Sequence, residues 1–296
     1  MRSRILISGA IGLASGTFCW LLMTHLQLGA ADFNWAIQAA RDLLAHQNPY
    51  SNPRQLYPLT AAIFGLPFVF FRPELAAGTF YGISSALLAF GLTRNGYQRL
   101  LIFLAYPYWA GILTAQWPPL IMAGAFLPFL LPAALVKPQL GLPIALTRSN
   151  KFGALACLGL LLVSLATMPH WPVFWISNIS HYDRFIPLLV FPGPLLALAL
   201  LRYRDRDAHL FLLMAIMPQR WFYDAFILWL IPKTRQQIIW TVFFSWFVGI
   251  WRWYHMPHSF TQVGQWTVLF LYFPILWTIL SRPADAGSPG GEGHGR

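Results

Sequence analysis

Apolar residues along this chain come in long unbroken runs, separated by short clusters rich in Arg, Pro, Gly and Asn. The runs cover residues 5–28, 58–71, 75–92, 100–115, 118–136, 138–146, 152–168, 185–201, 210–217, 222–231, 238–253 and 263–280. A strand of a membrane barrel would alternate apolar and polar positions over about ten residues, and these runs do not alternate. They predict helices, the one other way a backbone can satisfy its polar groups in lipid. A full crossing takes about 20 residues, so the runs at 138–146, 210–217 and 222–231 are expected as half-helices or helix ends packed inside a bundle. The fold class expected is all-α, a polytopic transmembrane helix bundle of about 10–12 membrane segments, some short or broken.

Composition strengthens this reading. Of 296 residues, 57% are apolar, 17% aromatic and only 10% charged, against about 25% charged in a soluble domain. A soluble chain of this kind could not hide its apolar surface. The net charge of +11 does not mark a nucleic-acid partner, because too few polar positions exist to build such a face. It fits basic inner loops and contacts with anionic lipid or phosphate. Cys19 and Cys157 both lie in apolar runs, so neither a disulfide framework nor a Cys/His metal spacing is indicated. The first run, 5–28, exceeds the roughly 7–15 residues of a signal-peptide core and is expected to stay as an uncleaved helix. Residues 282–296, rich in Gly, Pro and Ser, are expected to form a disordered cytoplasmic tail.

Placing the N-terminus inside puts twelve basic residues inside: Arg2, Arg4, Arg72, Arg148, Lys151, Arg202, Arg204, Arg206, Lys233, Arg235, Arg282 and Arg296. Eight fall at the outer side: Arg41, Arg54, Arg94, Arg99, Lys137, Arg184, Arg220 and Arg252. The charge of the 94–99 loop opposes its outer placement, so either a run before it is re-entrant or the loop is an exception. Two outer loops follow, at 29–57 and 169–184. Within the first, Trp35, Ala36, Ala39, Ala40, Leu43 and Leu44 line one side of a helix expected over 33–46. That pattern predicts an amphipathic juxtamembrane helix on the outer membrane surface, ended by the turn residues at 48–53.

Glu74, Asp205 and Asp207 are expected in inner loops, and Asp285 and Glu292 in the tail. Asp32, Asp42, Asp183 and Asp224 remain on the outer side, where an acid at a membrane boundary often serves function. Asp32 also suits an N-cap for the helix that follows. His25, His46, His170, His181, His255 and His258 share the outer half with many aromatics, as an interfacial belt would. Lys137 fits a snorkelling loop lysine or a phosphate ligand. Arg220 and Asp224, four apart, fit a local ion pair.

The elements Asp32-Phe33-Asn34-Trp35, Ala39-Ala40, Asn48-Pro49-Tyr50 and Tyr57-Pro58-Leu59 follow one another in the first outer loop. Together they resemble the GT-C superfamily of membrane glycosyltransferases, and within it the polyprenol-phosphate-mannose-dependent mannosyltransferases. Ala115-Gln116 resembles that branch's Gly-Gln element and Val136-Lys137-Pro138 its Lys-Pro element. Leu59 stands where the branch has a second proline and Ala115 where it has glycine. The resemblance covers residues 1–183, read as a GT-C-like membrane module; 184–281 would be variable C-terminal helices.

The resemblance implies transfer of a hexose, mannose by analogy, from a polyprenyl-phosphate-linked donor to a lipid, glycan or protein acceptor at the outer face of a bacterial inner membrane. Asp32 would be the general base, and Lys137 would meet the lipid phosphate. Arg184 and Arg220 join Lys137 by position alone, and Tyr50, Tyr57 and Gln116 would shape the sugar pocket. No metal or other cofactor is expected, and the partners are membrane lipids, the donor and the acceptor rather than nucleic acid. Two other classes stay open: a transporter or lipid flippase, which an internal repeat would favour, and a non-catalytic membrane subunit that keeps the fold.

Overall fold

In the computed structural model, residues 1–180, 183–256 and 259–282 are described; the expected tail beyond Arg282, and His181 and His258 of the outer histidines, lie outside them. The regular elements among the described residues are helical, joined by one isolated bridge between Phe185 and Gln219. The chain begins with α1 (Arg2–His25), α2 (Asn34–Leu44), α3 (Thr60–Gly65) and α4 (Pro73–Leu92). After a 3-10 stretch at Tyr97–Leu104 come α5 (Tyr106–Ile112) and α6 (Pro118–Ala123). A second 3-10 stretch, Pro128–Leu135, leads into α7 (Pro138–Arg148), α8 (Lys151–Thr167) and α9 (Trp171–Ile179). The remaining elements are the 3-10 stretch Gly193–Arg202, α10 (Arg206–Ile216), the 3-10 stretch Phe222–Leu230, α11 (Arg235–Tyr254) and α12 (Phe260–Leu280). Helices α1, α4 and α12 are long and apolar enough to cross a membrane, and α8 with α9, bent by 97°, make a fourth if taken together.

The helices are built inside out relative to a soluble protein. On α1 the buried positions are Ser8, Gly12, Ser15, Cys19 and Met23, while Leu6 and Leu13 are 73% and 74% exposed. On α8 the buried residues are Gly153 and Ser164, and Leu155, Leu158 and Leu162 face outward. Small and hydroxyl side chains let helices approach where lipid, not water, covers the leucines. α1 and α4 run antiparallel along such a seam, Gly12 and Gly16 meeting Gly82 and Gly78. A single hydrophobic cluster then runs from Cys19 to Ile279 and holds Tyr81, Trp117, Phe226, Trp229 and Tyr272.

Polar contacts fix which helix ends meet. Arg4, at the start of α1, donates to the Phe90 carbonyl (2.7 Å) and the Thr93 hydroxyl (3.3 Å) at the end of α4. Ser3 and Tyr97 share a hydrogen bond of 3.0 Å. Arg99 donates to the Leu230 carbonyl at 3.0 Å. Asp207 pairs with Arg148, with Lys233 (2.9 Å) and with Arg282 (2.7 Å), and Arg282 also reaches Asp205 (2.5 Å). One basic end therefore gathers the N-terminus and the links at 93–99, 148–151, 202–206, 231–235 and 280–282.

This arrangement corrects the expected charge map. Arg94 and Arg99 belong to the end that carries the N-terminus. Arg72 and Glu74 belong to the opposite end, where Pro73 lies beside Gly29. The physical reason is length. Residues 60–68 form two short helical turns, spanning about 14 Å at 1.5 Å per residue, less than half of a hydrocarbon core of about 30 Å. The run at 58–71 therefore doubles back, and the 94–99 charge needs no exception.

The amphipathic helix expected over 33–46 is present as α2. Its buried face, Ala36, Ile37, Ala39 and Ala40, packs against protein, chiefly α3. Alanines are too small to anchor a helix in an interface, but they allow close approach. A Cβ on Gly65 would stand 2.3 Å from the Ala36 carbonyl oxygen. Arg41 ties the two together by donating to the Val69 carbonyl at 2.9 Å.

Candidate functional site

Three breaks in helical structure converge at the end opposite the basic cluster. Asp32 lies in a 3-10 turn (Ala31–Phe33) between α1 and α2. Gln116 lies between α5 and α6, just before Trp117 and the two prolines that open α6. Lys137 is extended because Pro138 disfavours helix in the residue before it, and that proline then starts α7. Ala31 and Ala115, the residues before Asp32 and Gln116, sit at φ 46° and 48°, a left-handed conformation that glycine adopts at lower cost.

The three side chains form a line. Gln116 Nε2 donates to Asp32 Oδ2, and Lys137 Nζ donates to Gln116 Oε1 at 2.5 Å. Lys137 Nζ stands 3.6 Å from Asp224 Oδ1, and the backbone N–H of Arg220 donates to Asp224 Oδ2 at 3.0 Å. Gln116, Lys137 and Asp224 are buried, whereas Asp32 is half-buried. The rings of Tyr223 and Tyr57 flank the ammonium at 5.1 and 5.6 Å, within cation–π range.

Asp32 opens into a cavity of about 250 Å³. Its walls include Trp35, Tyr57, Lys137, Trp175, Arg184 and Arg220. The two arginines share a wall because the backbones of Phe185 and Gln219 pair at 2.8 and 2.9 Å. Trp175 is held by its indole N–H, which donates to the Leu56 carbonyl at 3.0 Å. A larger groove of about 640 Å³ between α11 and α12 is lined by no charged group.

The sequence expectations fare differently here. Asp32, Tyr57, Lys137, Arg184 and Arg220 come together around one cavity. Asp32 is not an N-cap: its carboxylate turns to Gln116, and no side chain caps the turn at Ala31–Phe33 or α2. Lys137 is not a snorkelling loop lysine, being 5% exposed and paired with Asp224. Gln116 sits behind the cavity wall as a bridge between Asp32 and Lys137. Tyr50 does not line the cavity either; its hydroxyl donates to the Tyr57 carbonyl at 3.0 Å. It supports the wall from behind, packed with Leu59 and Trp171, and burial raises its phenol pKa.

Sequence reasoning missed Trp35, Trp175 and the pairing of Asp224 with Lys137. An acid inside an apolar run was the available signal for Asp224, and the sequence offered Arg220, four residues away, as its partner. Nothing in the spacing connected it to Lys137.

Chemically, one cavity brings together a half-buried carboxylate, aromatic side chains and two arginines. Such a set can accept a proton, stack on a sugar ring and stabilise a phosphate. Among the described residues no three His, Cys, Asp or Glu side chains gather as a metal site. No protein-family model, curated protein or solved structure matches this chain.

Proposed function

We propose that this chain is an integral membrane glycosyltransferase that moves a hexose from a polyprenyl-phosphate donor to a hydroxyl acceptor at the outer face of a bacterial inner membrane. The helical legs between the basic end and the cavity end are read as about 10–12 membrane segments, some short or broken, with the basic end in the cytoplasm. The observation that carries the reading is the opening of Asp32 into a cavity that Arg184 and Arg220 also line.

In this reading the acceptor hydroxyl gives its proton to Asp32 as its oxygen bonds the anomeric carbon. The bond from that carbon to the phosphate oxygen breaks, and the polyprenyl phosphate leaves with the electron pair. The arginines stabilise the growing negative charge, while Trp35, Tyr57 and Trp175 offer faces to the sugar. Lipid-facing grooves between helices would take the prenyl chain.

Asp32→Asn tests the proposal, since asparagine can still accept from Gln116 but cannot take the proton. Transfer of labelled hexose from polyprenyl phosphate should fall by about 10²–10⁴-fold, with expression and unfolding temperature unchanged. Wild-type rates from this variant would remove Asp32 as base.

A further inference from the structure

Lys137 is a poor candidate for binding a phosphate. Its ammonium is 5% exposed, already 3.6 Å from the Asp224 carboxylate and flanked by two tyrosine rings. A buried ammonium needs such a counter-charge, and the attraction balances the desolvation only when geometry and hydrogen bonding are good. On Asp224 the Arg220 backbone N–H holds Oδ2, while Oδ1 makes no hydrogen bond and faces the ammonium at 3.6 Å through charge alone. The positive charge of Lys137 is thus spent before any ligand arrives.

What Lys137 does control is the direction of an amide. Gln116 can present either its oxygen or its nitrogen on a given side. An ammonium only donates, so Oε1 must face Lys137. Nε2 must then face Asp32, which as a carboxylate only accepts. A primary amide, with an acceptor oxygen and a donor nitrogen, is a neutral group able to join a donor-only to an acceptor-only neighbour. Among the described residues, no other group hydrogen-bonds the Asp32 carboxylate, so its other oxygen, Oδ1, is left for the cavity.

We propose that Asp224 and Lys137 form a neutral buried pair that fixes the amide orientation of Gln116, which in turn holds one oxygen of Asp32 and leaves the other open to the cavity. This rests on the reading of Asp32 as the base. It makes Gln116, Lys137 and Asp224 positioning residues and assigns anion recognition to the arginine wall.

The test compares Gln116→Met and the double variant Lys137→Met/Asp224→Leu, which removes both buried charges together, with Arg184→Gln. Gln116→Met and the double variant should lose about 10–100-fold in kcat, the usual cost of removing an orienting partner, with donor KM within about twofold of wild type. Binding of a short-chain polyprenyl phosphate lacking the sugar, followed by tryptophan fluorescence, should be unchanged in the double variant. It should weaken about tenfold in Arg184→Gln, the loss of one charge-assisted hydrogen bond. If the double variant instead loses polyprenyl-phosphate binding while kcat holds, Lys137 is a phosphate ligand and the inference is overturned.

If wild-type protein neither binds the lipid phosphate nor transfers hexose, the glycosyltransferase reading fails separately. The pair is then judged by unfolding. Lys137→Met and Asp224→Leu should each destabilise and the double variant should recover, a coupling of about tenfold or more in the unfolding constant. Additive effects would overturn the pair itself.

Discussion

The backbone N–H of Asp32 donates to the carbonyl of Thr114 at 3.1 Å. The loop after α1 and the loop after α5 are therefore joined by backbone as well as by the Asp32–Gln116 side-chain contact. Each loop turns through an alanine in the left-handed region, Ala31 immediately before Asp32 and Ala115 immediately before Gln116. Strain of this kind persists only where the surroundings over-determine it, and it gathers at functional sites.

Ala115→Gly should therefore be neutral to stabilising. The left-handed conformation costs a non-glycine residue about 1–2 kcal/mol, and glycine gives back about 0.5–1 kcal/mol through its unfolded-state entropy. A net gain near 0.5 kcal/mol is expected. Ala115→Val should cost about 2 kcal/mol or more, because a β-branched residue resists positive φ and the site has no room. Thermal unfolding of purified protein distinguishes these; a tolerated valine would mean that the turn relaxes.

The basic end supplies a second prediction. Asp207 is 1% exposed and faces Arg148, Lys233 and Arg282. Asp207→Asn removes the buried counter-charge of Arg148 and Lys233 while Arg282 keeps Asp205, and with the freed cations partly solvated it should destabilise by about 1–3 kcal/mol. Asp205→Asn should cost less, since Asp205 is 25% exposed and its loss still leaves Arg282 on Asp207. The unfolding midpoints of the two variants in one lipid or detergent mixture test the ranking, and equal midpoints would refute it.

The glycine seam makes a third. A Cβ on Gly78 would meet Trp20 Cβ at 2.6 Å and the Gly16 carbonyl oxygen at 2.8 Å. Neither the α1 backbone nor the Cβ of Trp20, fixed to that backbone, can yield. Gly78→Val should separate α1 from α4 and cost about 1–3 kcal/mol or more. Gly159→Ala has nothing within 4 Å and should be neutral or slightly stabilising in its helix. Both are read by unfolding, and a neutral Gly78→Val would contradict the close approach.

Much of the site could be read in the sequence because its residues sit at breaks that leave marks. Pro138 announces the kink at Lys137, Pro118 and Pro119 the start after Gln116, and the small residues at 29–31 the turn before Asp32. The pairing of Lys137 with Asp224 left none, since it depends on how distant helices pack. Tyr50 showed that an aromatic next to a site can serve from behind the wall. The re-entrant 58–71 run looked like a short span, because hydropathy reports burial in apolar surroundings and not direction. The opposing charge of Arg94 and Arg99 is what raises a re-entrant run before them as one of two readings of the sequence.

That charge gives a fourth prediction, on topology. Arg94 follows Thr93, which Arg4 contacts, so it shares the N-terminal end. Arg72 precedes Pro73, which lies beside Gly29 at the cavity end. Both arginines are exposed. Single cysteines at these positions, in a Cys157→Ala background that keeps buried Cys19, should react with a membrane-impermeant maleimide from opposite faces. With the basic end in the cytoplasm, Arg72→Cys labels in intact cells and Arg94→Cys only after the membrane is opened. If 58–71 instead crosses the bilayer, Arg72→Cys becomes the protected position and Arg94→Cys the reactive one. The reversed pattern would overturn the doubling back of this run and with it the shared cavity-side placement of Asp32 and Arg72.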